Sequence, residues 1–211
     1  MTPAGSAGGG SGYPDLVEPV TKGDQHGEPP PVELANTTYA VRGRVQDGLE
    51  TVEQLTEWLA RMNDRLPVPL TAAGLRSVDE ADLARAREIR DAVRAIADHV
   101  VRGKRPAAKD LDQLNRHVAA APCRRELAWQ EGPVATVRSE GPPVTAALAA
   151  LAQNAVDLFA GPALAALRAC HGPGCVLFFV KDHPRREWCS AGCGNRARAA
   201  RHYARVREQK A

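Results

Sequence analysis

Four of the chain's five cysteines fall inside 24 residues, "CHGPGCVLFFVKDHPRREWCSAGC", at Cys170, Cys175, Cys189 and Cys193. The spacing is C-x4-C-x13-C-x3-C: two close pairs and an intervening stretch long enough to fold back. Four thiolates can wrap one Zn2+ tetrahedrally, with Zn–S bonds of about 2.3 Å. Such a closed shell leaves no open coordination position, so the expected zinc is structural and not catalytic. Residues 1–12, "MTPAGSAGGGSG", carry neither a basic n-region nor an apolar h-region, so no secretory leader is expected. No apolar run is read as reaching the roughly 18 residues of a membrane span. The expected location is the cytoplasm, where thiols stay reduced and clustered cysteines serve as ligands before disulfides. His171 and His183 stand close enough to replace one cysteine, and a set of buried free thiols is the alternative that the clustering opposes.

Glycines flank both pairs. Gly172 and Gly174 allow a tight first turn, and Gly192 and Gly194 are expected to do the same for the second. "VLFFV" reads as one strand of a hairpin between the pairs, with Phe178 and Phe179 as the small core, and Cys193 is placed at the entry of a helix over "NRARAARHYARVRE". About 40 residues cannot bury an adequate core unaided. Loss of zinc is therefore expected to unfold residues 165–207 and leave the rest intact.

Charge divides the chain unevenly. Residues 163–211 hold ten Lys and Arg against three acids, a net of +7, which leaves −4 on residues 1–162. Arg198, Arg201 and Arg205 share one face of the C-terminal helix, Ala197, Ala200 and Ala204 an adjacent one, and Arg185, Arg186 and Arg207 add to the basic set. Guanidinium groups make bidentate contacts with phosphate and guanine edges, and a basic end on an acidic body suits an anionic partner. A helix in a groove fits double-stranded DNA; no exposed aromatic platform for single strands is evident. The alternative is that these arginines screen the tetrathiolate and solvate a surface helix. Arg196 is read as bracing the zinc knuckle or the domain junction, and Asn195 as a candidate helix cap.

The remainder reads as α+β and mainly α. Residues 1–31 are rich in Gly, Pro and Ser and are expected to form a disordered arm. Residues 32–161 form a helical domain with a small β-hairpin, followed over 162–211 by a small zinc finger ending in a helix. "VELANTTYAVRG" is ambiguous between helix and strand. Thr51 caps a helix with Val52, Leu55, Leu59 and Met62 inward and Trp58 beside them. Ser77–Gly103 carries Leu83, Ala86, Ile89, Val93, Ile96 and Val100 at steps of three and four. Pro106 opens another helix, with Leu111, Leu114 and Val118 on one face. Residues 124–130 and 134–138 form a hairpin around "EGP". The last body helix turns Val144, Leu148, Leu151, Ala155 and Leu158 inward and ends at Gly161–Pro162.

No catalytic constellation stands out: there is no phosphate-cradling glycine loop, no Ser/His/Asp pattern and no H-E-x-x-H, so an enzyme is not expected. His99 and His117 read as solvated and Cys123 as an idle thiol. Asp47, Glu57 and Trp58 could line a pocket, or serve capping and packing equally well.

"WCSAGCGNR", the upstream C-x4-C, the F-x-x-D of Phe179–Asp182 and the basic "HPRREWCS" resemble the signature of the CGNR zinc-finger family. "ELANTTYA…DGLETVEQLTEWL" resembles the opening of the ABATE domain that precedes this finger in many bacterial proteins. The resemblance implies a stress-responsive transcription regulator with a C-terminal zinc-binding, DNA-binding module, and Cys170, Cys175, Cys189 and Cys193 as its ligands. His183-Pro184 stands where family members often carry Ser-Arg, so any phosphate contact made by that pair is in question here. The body would sense a ligand or form a homodimer. A finger that docks another protein without touching DNA is the alternative.

Overall fold

The strongest helical periodicity in the chain supplies the axis of the fold. In the computed structural model, which describes residues 27–209, α4 runs Glu80–Val101 and buries Leu83, Ala86, Ile89, Val93 and Ile96. A capping box starts it: the Asp79 side chain accepts from the Asp82 N–H, and Asp82 reaches back to the Asp79 N–H. The start falls after the expected Ser77 because Ser77 ends a short helix that the periodicity does not announce, α3 (Ala72–Arg76). Before these, α1 spans Pro30–Ala35 and α2 spans Val52–Met62. Thr51 caps α2 reciprocally with Gln54, and Leu55, Trp58, Leu59 and Met62 point into the core. The next two helices are α5 (Ala108–Ala120) and α6 (Pro143–Ala160).

One apolar cluster joins α1, α2, α4, α5 and α6. By length and mean hydropathy (18 residues, 1.2) α6 is long and apolar enough to cross a membrane, contrary to the expectation that no run qualifies. Its apolar surface is nevertheless used by the bundle: Val144, Ala147, Leu148, Leu151, Ala152 and Ala155 all lie in the main core. On α5 the expected inward face is rotated. Leu114 is buried and Val118 packs at the core edge, but Leu111 is exposed. His117 is buried instead, with Nε2 2.9 Å from the Glu88 carboxylate on α4, so it is not a solvated histidine. His99 is half-buried over the Ala95 carbonyl at 2.8 Å, and Cys123 is half-buried with its sulfur 3.4 Å from the Ala121 carbonyl.

All the strands are short and antiparallel. β1 (Thr38–Val41) pairs with β2 (Arg44–Asp47), so the ambiguous "VELANTTYAVRG" holds both a helix and a strand. Arg42 and Gly43 join them with φ of 51° and 79°, the two positive values of a type I′ turn. β3 (Cys123–Trp129) and β4 (Pro133–Ser139) form the expected hairpin. β5 (Leu167–Ala169) pairs with β6 (Phe178–Val180) across the first cysteine pair, not within the 13-residue stretch between the pairs. α7 (Ala191–Glu208) closes the chain.

Side chains alternate sides along a strand, and β6 uses this to face two ways. Phe179 turns toward the cysteines, whereas Phe178 joins Val32, Ala97, Leu158 and Leu167 in a second apolar cluster shared by α1, α4, α6 and the C-terminal segment. Phe178 is thus not part of the finger's own core. The core runs across Gly161–Pro162, where the chain was expected to divide.

Polar contacts reinforce that seam. Asn36 donates to the Phe178 carbonyl and accepts from its N–H, both at 2.9 Å, completing the edge of β6 as a neighbouring strand would. Arg94 on α4 donates to the Ala35, Thr38 and Val176 carbonyls at 2.7, 3.2 and 3.1 Å and lies 5.4 Å over the Phe178 ring. Of the expected 1–31 arm, residues 1–26 lie outside the described residues, whereas Gly27–Pro31 belong to the fold. Glu28 is 2% exposed, accepts from the Val180 N–H at 2.7 Å and pairs with Arg186. An Asn36→Asp substitution removes the side-chain donor of this buried pair and sets a carboxylate against a carbonyl. It should cost about 1–3 kcal/mol, read as a lower thermal midpoint; an unchanged midpoint would show that this seam carries little stability.

Candidate metal centre

The ligand pairs are delivered by two structures of different kind. Cys170 and Cys175 lie in the turn between β5 and β6, where the Cys170 N–H donates to the Leu177 carbonyl and the Cys175 N–H to the Gly172 carbonyl, both at 2.8 Å. Cys189 precedes α7, and Cys193 sits in its first turn. Ser190 caps that helix and accepts from the Cys193 N–H at 3.2 Å, so Asn195 is not the cap; it lies inside α7 and accepts from Arg198. Gly192 and Gly194 are likewise helical, not turn residues of a second knuckle, and Gly194 is buried against Trp188. Gly172 is required by close approach: a Cβ there would lie 2.8 Å from the Cys193 Cβ.

The four sulfurs all lie within 4.8 Å of one another. Cys175 and Cys189 are 3.7 Å apart, and Cys189 and Cys193 are 3.3 Å apart. A ZnS4 tetrahedron with bonds of about 2.3 Å has edges of about 3.8 Å, so the cage fits one zinc ion. The sulfurs are too far apart for disulfides, and all five cysteines are free. Three of the four are buried and Cys175 is half-buried. His171 and His183 are absent from the cage, and Cys123 lies elsewhere on β3.

Protons cannot be shared evenly among sulfurs this close. Hydrogen bonds from Cys175 and Cys189 pull the Cys170 thiol well down. Donation to Cys170 pushes Cys175 up to about 12, and donation to Cys170 and Cys175, with burial, pushes Cys189 up. A divalent cation resolves the conflict by taking the place of the shared protons, leaving the four thiolates and the ion with a net charge of about −2.

Family profiles agree with the geometry. One profile, ABATE, described as "Putative stress-induced transcription regulator", matches residues 28–162. A second, described as "CGNR zinc finger", matches residues 166–206. The chain belongs to the ABATE family and carries a CGNR zinc finger. A comparison with curated proteins gives no significant match. The CGNR finger holds one structural Zn2+.

Positive groups surround the cage of the CGNR finger. Arg196 donates to the Cys193 sulfur at 2.9 Å. Burial, then the neighbouring charge of Arg90, pushes Arg94's pKa down, and Asp91, Asp98 and, least, Cys175 act in the opposite sense. Among the described residues Arg94 is held by carbonyls and pairs with no carboxylate. Arg186, expected to touch nucleic acid, is turned inward instead. It pairs with Glu28, donates to the Val180 carbonyl at 3.1 Å, and lies 5.0 Å over the Phe179 ring. Arg185, Arg198, Arg201, Arg205 and Arg207 are exposed. On α7 only Cys193, Gly194 and Ala197 are buried; Ala200 and Ala204, expected to pack on the finger, face outward. The candidate body residues are placed differently from one another: Trp58 is fully buried, Asp47 pairs with Arg90, and Glu57 is exposed.

Glu28, Asn36 and Arg94 support the finger from outside it, and no spacing rule points to them. Their contacts revise the expectation that zinc loss leaves the body untouched. Chelation of the full chain should abolish the finger's structure and also lower the thermal midpoint of the helical body; an unshifted body transition would show the two to be uncoupled. Zinc must displace protons held by the raised thiols of Cys175 and Cys189. Affinity should therefore fall as pH is lowered, measured by competition with a chelator across pH, and a pH-independent affinity would contradict the thiolate cage.

Proposed function

We propose that this protein is a transcription regulator whose zinc-braced finger presents α7 to duplex DNA. The observation that carries the reading is the exposure of α7 beyond its first two turns. From Arg198 to Gln209 every residue is exposed except Val206, and Arg198, Arg201, Arg205 and Arg207 lie in that stretch against one acid, Glu208. A helix that is polar all round and unburied gains nothing from the core, so its arginines are available for an anionic partner. The "transcription regulator" in the description of the matching family supports the same reading. Zinc here organises and does not react, which supports a binding protein over an enzyme, working in a reducing compartment such as the cytoplasm.

The body would then set the spacing or the response. Leu127 and Trp129 on the β3–β4 hairpin are 78% and 76% exposed on one face, which favours pairing of two copies over a monomeric regulator. Paired half-sites would raise specificity.

DNA binding by the zinc-loaded protein should weaken steeply across a salt series, because each phosphate contact releases counterions. Changing Arg198, Arg201 and Arg205 together to Ala should lower the slope of log K against log salt by about 2–3. A flat salt response, or an unaltered slope in the triple variant, would remove duplex DNA as the partner and leave a protein-docking finger.

A further inference from the structure

We infer that the β1–β2 hairpin is a second DNA-contacting element, with Arg42 holding the phosphate backbone beside the finger; the inference rests on the DNA-binding reading above. A cleft of about 1260 Å³ separates the hairpin tip from the finger. Arg42 and Gly43 line it together with Gly174, Arg196 and three of the metal ligands, Cys175, Cys189 and Cys193. The tip and the first cysteine turn nearly touch: a Cβ on Gly174 would lie 3.4 Å from the Gly43 Cα. Asp182 and Arg186 also line the cleft, but they pair with each other at 3.4 Å, and Arg186 is bound to Glu28 as well. Two guanidinium groups remain to face an incoming ligand. Arg196 donates once to Cys193 and keeps its other N–H groups, and Arg42 is exposed with no hydrogen-bond or ion-pair partner among the described residues. The zinc tetrathiolate, three of whose cysteines line the cleft, carries a net charge of about −2 that Arg196 partly offsets, so the positive charge left for a phosphodiester is that of Arg42 at the hairpin tip.

Arg42 also sits where the backbone disfavours it. It is the only non-glycine among the described residues with a positive φ, in a turn whose first position prefers Asn, Asp or Gly. A residue kept at a locally unfavourable position, beside a cleft and without an internal partner, is better explained by an external contact than by the turn.

Helix geometry places this contact relative to the rest. At 100° per residue, Arg196, Tyr203 and Arg207 follow one stripe of α7, on the side of the cleft, while Arg198, Arg201 and Arg205 lie on the opposite flank. A major groove of about 12 Å admits one helix and sets a phosphate strand along each flank. The arginine triad meets one strand; Arg196, Arg207 and the hairpin tip meet the other.

The test uses the full, zinc-loaded chain and a duplex of random sequence. Arg42→Asn restores the residue that the turn prefers, so the thermal midpoint should hold or rise. One lost phosphate contact should lower the salt slope by about 0.9, which corresponds to about a fivefold loss of affinity at 0.15 M salt. Arg42→Lys keeps the charge and should retain most of the binding. Opposite movement of stability and affinity in Arg42→Asn supports the inference, since a merely structural role moves both the same way. It is overturned if Arg42→Asn binds as tightly as wild type, if affinity falls together with the midpoint, or if a single-stranded RNA of equal length is bound in preference to the duplex. Unchanged binding in Arg42→Asn with binding lost in the Arg198/Arg201/Arg205 variant refutes the hairpin's role and leaves the finger's intact. Absence of duplex binding by the wild type refutes both.

Discussion

Four cysteine sulfurs held within 4.8 Å of one another cannot all carry charge unless a cation sits among them. That constraint organises the C-terminal quarter of the chain. It fixes the turn between β5 and β6 against the first turn of α7, two pieces too small to form a core together. Phe179, Leu177 and Trp188 cover the cage, but they are few, and the metal supplies what apolar burial at this size does not. Once the cage is closed, the direction of α7 is set by Cys193 in its first turn, and the arginines that follow are carried outward on a rigid base.

The cage does not stand alone, and its neighbours explain why finger and body act as one structure. β6 presents Phe179 to the sulfurs and Phe178 to the helices, so a single strand is shared by two cores. Asn36 satisfies the backbone of that strand, Arg94 reaches the carbonyl next to Cys175, and Glu28 anchors Arg186. These are polar groups in buried or half-buried places, where an unmade bond costs more than a made one gains. A disturbance at the metal is therefore transmitted to α1 and α4 through these bonds. In the proposed regulator, the same seam is where a signal received by the body would reach α7.

Much of this was legible in the residues. The cysteine spacing announced the metal, the 3.6-residue periodicities announced α2, α4, α5 and α6, and Thr51 with Gln54 announced a cap. Misreadings came where local pattern and tertiary context diverge. Leu111 fits the apolar period of α5, but the helix is rotated to bring His117 against Glu88. Glu28 lies in a Pro- and Gly-rich stretch that reads as unstructured, and distant partners, among them Arg65, Val180 and Arg186, order it. Arg186 belongs to a basic run, yet a nearby buried carboxylate draws it inward. The β5 strand, three residues long, is invisible until β6 pairs with it across the cysteine turn. In each case the deciding contact is far away in sequence, where neither composition nor periodicity carries information.

The central claim is a closed tetrathiolate zinc site that welds the finger to the body. X-ray absorption at the zinc edge on the purified full chain tests it most directly. The account predicts one zinc per chain with four sulfur neighbours at about 2.3 Å. A shell containing nitrogen or oxygen, or zinc well below one equivalent in a folded protein, would contradict it.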